Sequence, residues 1–284
     1  MLPRWRLRCV YFLTGVSQVL SMTPPAASAT VDFTLPPGSK FTNTTLWQGV
    51  PSVYDVRQVS VLDCWLPAVT LSVLFASPSF VQSLYFYTNG TSLYTLSSPS
   101  PAAPEVYVKV FNPTTLSPVF ELVSIANEST TEDVPNGVWW HSALTQAIQL
   151  LGTQMSIPGI ASDGSIISME GNSEIALSVY TGKKTVMALT KGMTSDDFFQ
   201  MLSHAPNSPI VLATVDTPTV TVPPVGNNHA YAVMNTTDWG GGRNVTCRNP
   251  WGSWVNFRLE DIMVNVWGVA HLSEYESLEP GGSG

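Results

Sequence analysis

Asp63-Cys64-Trp65 stands at the head of the apolar run Leu66 to Ala76, with Gln58 six residues upstream of the cysteine. A thiol attacks as the thiolate, and a helix N-terminus favours that form through its unpaired N–H groups and the positive end of its dipole. The same N–H groups, joined by the Gln58 amide, could hold an oxyanion as it develops. Such chemistry also needs a base for the thiol proton and a third group to orient the base. Of the four histidines, His141, His204 and His271 lie where a lone histidine is ordinarily structural. His229 differs, because Asn227-Asn228-His229-Ala230-Tyr231-Ala232-Val233 opens a strand-like run and the chain returns through Thr246-Cys247-Arg248-Asn249-Pro250-Trp251-Gly252. Paired as a hairpin, these runs bring the Asn249 side chain beside His229. The roles then assemble: Cys64 attacks, His229 is base and later acid, Asn249 fixes the ring, and Gln58 with the Cys64 backbone N–H lines the oxyanion hole.

These residues need particular elements to carry them. Asp63 to Ala76 reads as a helix, with Pro67 in the first turn, where a missing N–H costs nothing. Val138 to Leu151 has helical spacing and Gly152 is expected to stop it. Ser195 to Leu202 is a short helix with Ser195 as N-cap and Asp196 and Asp197 in its first turn. Leu84 to Leu96, Val106 to Ile125, Ile210 to Val215, His229 to Met234, Asn244 to Arg248 and Trp254 to Phe257 read as strands. Ser97 to Pro104 is a loop, Ile157 to Ser173 irregular, and Asp238 to Gly242 a hairpin turn rather than a phosphate cradle. Helices gather around Cys64 and strands in the last third, which predicts an α+β protein of two lobes with a seam near Gly182.

Composition sets the compartment. The chain has 284 residues, 44% hydrophobic and only 11% charged, and no mature stretch approaches a membrane span. Arg4, Arg6 and Arg8, the apolar Val10 to Leu20 and Ala27-Ser28-Ala29 read as a secretory signal over residues 1–29. Its removal takes away three arginines and no acid, moving the net charge from −8 to −11, which excludes nucleic acid and anionic membranes as natural partners. Glycosylation sequons at Asn43, Asn89, Asn127, Asn235 and Asn244 fit export. Cys9 leaves with the signal, so Cys64 and Cys247 either bridge or leave a functional thiol.

Gln58…Asp63-Cys64-Trp65, then His229-Ala230-Tyr231-Ala232-Val233, then Arg248-Asn249-Pro250-Trp251-Gly252 together resemble the catalytic module of the calpain family of cysteine proteases, on a papain-like fold. The likeness spans roughly Leu46 to Leu272, and three such blocks in order are far more specific than any one. It implies an N-terminal subdomain over 30–182 that is helix-rich and carries the cysteine. It also implies an antiparallel-sheet subdomain over 183–278 carrying histidine and asparagine, and a tail over 279–284. It implies an endopeptidase that hydrolyses peptide bonds through a Cys64 thioester, with Trp65 and Trp251 at the cleft and protein or peptide substrates. A monomer is expected. Leu62 stands where the family usually has Gly, and a Leu there either narrows the subsite for the residue before the scissile bond or signals a relaxed active site; Val59 and Asn228 also replace usual glycines.

Calpain modules bind calcium in each subdomain, through hard oxygen ligands. Asp55 matches one ligand position, but its expected glutamate partner falls at Ser156, and the acidic loop after Gly252 is nearly absent. No cofactor is therefore required, and calcium dependence is expected to be weak or absent. Two other readings remain: a catalytically inactive protease-like binding module, favoured by Leu62, Val59 and the lost calcium ligands, and a transglutaminase-like acyl transferase, disfavoured by Asn249 where those enzymes orient the base with Asp. Cys247 lies two residues before Asn249 and so on the same strand face, which places it near the site; a Cys64–Cys247 bridge could act as a redox lock, but a buried free thiol is the expected reading for Cys247.

Overall fold

The helix behind Cys64, α1 (Trp65–Ala76), is buried around its whole circumference from Trp65 to Leu74. A helix apolar on every side belongs in a core. Its polar members are satisfied in place: Thr70 Oγ1 donates to Leu66 O at 3.1 Å and meets the Tyr180 hydroxyl at 2.7 Å, and Ser72 Oγ donates to Val69 O at 2.9 Å. The structure, a computed structural model, describes residues 43–58, 63–94, 101–127, 137–166, 171–219, 221–240 and 242–280. The signal segment 1–29, Val59, Leu62, the stretch 95–100 (the end of one expected strand and the first half of the loop after it) and the last four residues of the tail lie outside these.

The fold is mixed α and β. After α1 come α2 (Pro78–Gln82) and a three-stranded antiparallel sheet in the order β1 (Tyr85–Phe86), β2 (Glu105–Phe111), β3 (Pro118–Ser124). The strand expected over Leu84 to Leu96 shrinks to two residues because the chain turns at Thr88-Asn89-Gly90, where Gly90 takes a positive φ of 81°. The single strand expected over Val106 to Ile125 is a hairpin. Asn112 Oδ1 accepts from the N–H groups of Thr114 and Thr115 and breaks the run there.

Against this sheet lies α3 (Trp140–Gln154), which runs through Gly152 instead of stopping at it. Ile160 packs where a Cβ on Gly152 would sit, so the glycine serves a close approach rather than a C-cap. Next comes α4 (Ser173–Thr181), not anticipated from the sequence, whose N-cap Asn172 accepts from the Glu174 N–H at 2.8 Å and which ends at Gly182. It packs on α1.

The larger sheet has six antiparallel strands in the order β4-β9-β5-β6-β7-β8: β4 (Thr185–Leu189), β5 (Ile210–Thr214), β6 (Ala230–Trp239), β7 (Gly242–Arg248), β8 (Trp254–Arg258) and β9 (Val266–Leu272). Its faces follow the two-residue period of a strand. Val211, Ala230, Ala232, Met234, Ala270 and Leu272 join the core built on α1 and α3. Their neighbours Ile210, Leu212, Tyr231, Val233, Val245, Cys247 and Val269 face a second core. That core is closed by α5 (Ser195–Leu202) and α6 (Leu259–Met263). The N-cap of α5 is Thr194, one residue before the expected Ser195, with Thr194 Oγ1 accepting from the Asp197 N–H at 3.1 Å. Among the described residues, no helix is long and apolar enough to cross a membrane.

Candidate active site

Cys64 is the N-cap of α1, and its carbonyl accepts the Ala68 N–H at 3.0 Å. The thiol is half-buried, with Sγ 4.0 Å from the Asn228 carbonyl oxygen that it faces. Burial pushes this thiol above its ordinary range, the Ala230 N–H pulls it back, and the neighbouring Asp63 carboxylate raises it again. The N–H groups of Trp65 and of Cys64 itself act in the favourable direction but are outweighed. The activation expected of a helix start is therefore present but opposed, by desolvation above all and by the Asp63 carboxylate.

His229 immediately precedes β6, and Asn249 immediately follows β7. His229 Nε2 and Asn249 Oδ1 are 3.0 Å apart. The same oxygen accepts the Trp251 N–H at 3.1 Å. An amide oxygen can only accept, so the imidazole Nε2 carries the proton and Nδ1 keeps its lone pair. The Trp251 indole, 52% exposed, stacks over the imidazole with centroids 4.3 Å apart, while Tyr231 presents a perpendicular ring at 4.8 Å. Burial lowers the histidine below its ordinary value and the Asn249 contact partly opposes this.

The backbone of His229 is fastened to the end of β5. Its N–H donates to Thr214 Oγ1 at 2.8 Å, its carbonyl accepts the Thr214 N–H at 2.9 Å, and the Thr214 hydroxyl reaches Gly226 O at 2.6 Å. Asn228, just before it, sits at a φ of +43°, a left-handed conformation that asparagine tolerates better than most residues. Its N–H donates to Val215 O at 3.0 Å and its side-chain amide to Asp216 Oδ1 at 2.7 Å.

Gln58, Cys64, Trp65, Gly171, Ser173, Ala213, Thr214, His229, Trp251 and Trp267 are among the residues lining one cleft of about 390 Å³. Gln58 is anchored from both ends: its N–H donates to Pro250 O at 2.9 Å and its side-chain Nε2 to Asp63 Oδ1 at 3.0 Å. Trp65 is buried under Gly171, where any Cβ would lie about 1.9 Å from the indole, so only glycine brings the backbone to the cleft there. The chain thus brings Gln58, Cys64, Trp65, His229 and Trp251 to one cavity, with Asn249 behind the histidine. Thr214, Gly171, Ser173 and Trp267 were not singled out by sequence reasoning. They come from distant elements and carry no motif of their own.

Other expected positions lie elsewhere. Asp55 Oδ2 accepts from the Ser52 N–H and from Trp140 Nε1, each at 2.9 Å, closing a capping box and tying an indole. Ser156, exposed after α3, offers only a hydroxyl. This pair does not fit a calcium ion, whose site needs several converging oxygens. Among the described residues, no group of three or more His, Cys, Asp or Glu is clustered as a metal site would need. Cys64 and Cys247 are both free thiols. Cys247 is fully buried with Val245 and Phe257 in the second core, not beside the site as its spacing from Asn249 suggested, and burial drives its thiol far above the ordinary range. Asn43, Asn89, Asn127 and Asn235 are exposed and Asn244 is partly so. Neither the protein-family models nor the curated proteins contain a match to this chain.

Proposed function

We propose that this chain is a secreted, calpain-like cysteine endopeptidase with a two-lobed papain-like architecture. One observation carries the reading: His229 donates from Nε2 to Asn249 under the Trp251 ring, leaving Nδ1 as the basic nitrogen in the cleft that holds Cys64. Nδ1 takes the thiol proton as Sγ attacks the peptide carbonyl, forming the C–S bond and an oxyanion on the former carbonyl oxygen. The Gln58 amide and the Cys64 N–H stabilise that oxyanion. Collapse expels the amine, protonated by His229, and water then hydrolyses the thioester with the same imidazole as base.

Replacing Cys64 with Ala abolishes cleavage of an unfolded protein substrate by the purified protein; retained cleavage defeats the proposal. The chelator EGTA leaves the wild-type rate unchanged, since Asp55 is committed to the capping box and to Trp140.

A second reading, an inactive binding module, is favoured by the raised Cys64 thiol and its contact with the Asn228 carbonyl. An active-site-directed epoxide separates the two. Labelling of Cys64 but not Cys247 supports the peptidase, and absence of labelling supports the module.

A further inference from the structure

Asp63 is an adverse neighbour for a nucleophile. Burial raises the Cys64 thiol, and the Asp63 charge beside it raises it further. Asp63 is itself only 1% exposed. A buried carboxylate needs hydrogen bonds to offset its lost hydration, and Asp63 Oδ1 accepts one from Gln58 Nε2 at 3.0 Å. Both ends of that bond are rigid. The Asp63 carbonyl accepts the Leu66 N–H at 2.8 Å, which ties its backbone to the first turn of α1. The Gln58 N–H donates to Pro250 O at 2.9 Å, which ties that backbone to the turn after Asn249. Gln58 is buried and lines the cleft, whereas Asp63 is not among the lining residues.

The bond decides which end of the amide is presented. An ionised carboxylate only accepts, so the amide turns Nε2, and not Oε1, toward the residue that precedes Cys64. Nε2 carries two hydrogens. Asp63 engages one, and the second remains for an acceptor at the Cys64 end of the cleft, such as an oxygen gaining charge there. The flipped amide would set Oε1 against the carboxylate and present an acceptor where the reaction needs a donor. A glutamine lacking a fixed acceptor has little to prevent that flip, because the two ends of its amide are nearly alike in size.

We propose that Asp63 is a positioning residue for the reaction, its carboxylate fixing the Gln58 amide with the nitrogen toward Cys64 so that the oxyanion meets a donor. The proposal rests on the peptidase reading. Asp63 then opposes one half of the chemistry and serves the other, and the halves are separable. Alkylation of Cys64 by iodoacetamide needs the thiolate but no oxyanion hole, while peptide cleavage needs both. Asp63→Leu removes the charge and the acceptor; Asp63→Asn removes the charge and keeps an oxygen that accepts. At neutral pH both variants alkylate severalfold faster than the wild type. With a fluorogenic peptide, kcat falls roughly tenfold in Asp63→Leu at unchanged KM, part of the roughly 10²–10³ that losing an oxyanion donor outright costs. Asp63→Asn recovers most of that loss, and Asp63→Leu adds none to Gln58→Leu. Turnover that rises with alkylation in Asp63→Leu, or losses that multiply in the double variant, overturn the proposal. Asp63→Ala replaces Asp63→Leu, with the same outcomes, if circular dichroism shows the latter unfolded. Absence of all cleavage by the wild type defeats the peptidase reading instead. The hold on the amide is then read by NMR, from hydrogen exchange of the Gln58 side-chain amide in the same proteins. Slow exchange that is lost without the Asp63 acceptor supports the orienting role, and equal exchange refutes it.

Discussion

Burial is the main cause that holds both Cys64 and His229 toward their uncharged forms, the thiol raised and the imidazole lowered. Charge separation then has to occur during attack, when the oxyanion and the amide groups facing it share the cost. The alkylation rate of Cys64 by iodoacetamide is accordingly expected to climb with pH beyond the ordinary thiol range of about 8.5, without a plateau near neutrality. A neutral-pH plateau that vanishes in His229→Ala would instead reveal a resting ion pair. A second expectation concerns the arm before His229. Asn228 holds a left-handed φ while its amide is drawn to Asp216 and its carbonyl faces the thiol. Losing this exposed, charge-assisted bond is worth about 1 kcal/mol, so Asp216→Ala lowers kcat/KM roughly fivefold. Asn228→Gly, which adopts that φ without strain, restores most of it. A double variant no better than Asp216→Ala alone would show that Asp216 acts in another way.

At the level of elements, one strand separates the site from the structural thiol. Strand β7 delivers Asn249 to the cleft but turns Cys247 into the apolar core of the other sheet face. A serine there would bury a hydroxyl among Val245, Phe257 and Leu259, costing about 1–3 kcal/mol. Cys247→Ser is thus expected to lower Tm by roughly 3–10 °C while leaving Cys64 labelling and turnover intact, as calorimetry beside an epoxide-labelling assay would show. The same strand shows what sequence can carry. Cys64, His229 and Asn249 were legible because each sits in a local run whose residue types state a chemistry. Helix α5 was legible because its acids mark the first turn. Strand β9 was not: it lies between two partners, and Val-Trp-Gly-Val-Ala-His-Leu shows no polar alternation when both faces are covered. Helix α4 follows a Gly-rich stretch that masks its Asn172 cap. Trp267 owes its position to a register slip between strands more than fifty residues apart, which no local pattern records.

Over the whole molecule, the core around α1 draws side chains from both sheets, so separating the halves would expose Leu71 and Val211 together. One cooperative unfolding transition is expected. Its pH dependence is set in part by a second histidine far from the cleft. His271, buried on β9, donates from Nδ1 to Leu272 O at 2.7 Å and is stacked against Tyr275, whose ring in turn stacks on His204. Burial lowers its affinity for a proton, the Leu272 carbonyl partly restores it, and His204 lowers it further. A base whose folded-state value lies below its unfolded value stabilises the fold above the unfolded value, and that stability is lost as pH falls toward the folded one. The unfolded imidazole titrates near 6.5, so Tm begins to fall as pH drops through about 6.5, with His229 contributing in the same direction. His271→Gln keeps a polar ring-sized group that cannot titrate there. Its Tm is lower at pH 7.5, yet it declines less between pH 7 and pH 5 than that of the wild type. Parallel Tm–pH curves for the two proteins would assign the acid sensitivity to His229 and the carboxylates alone.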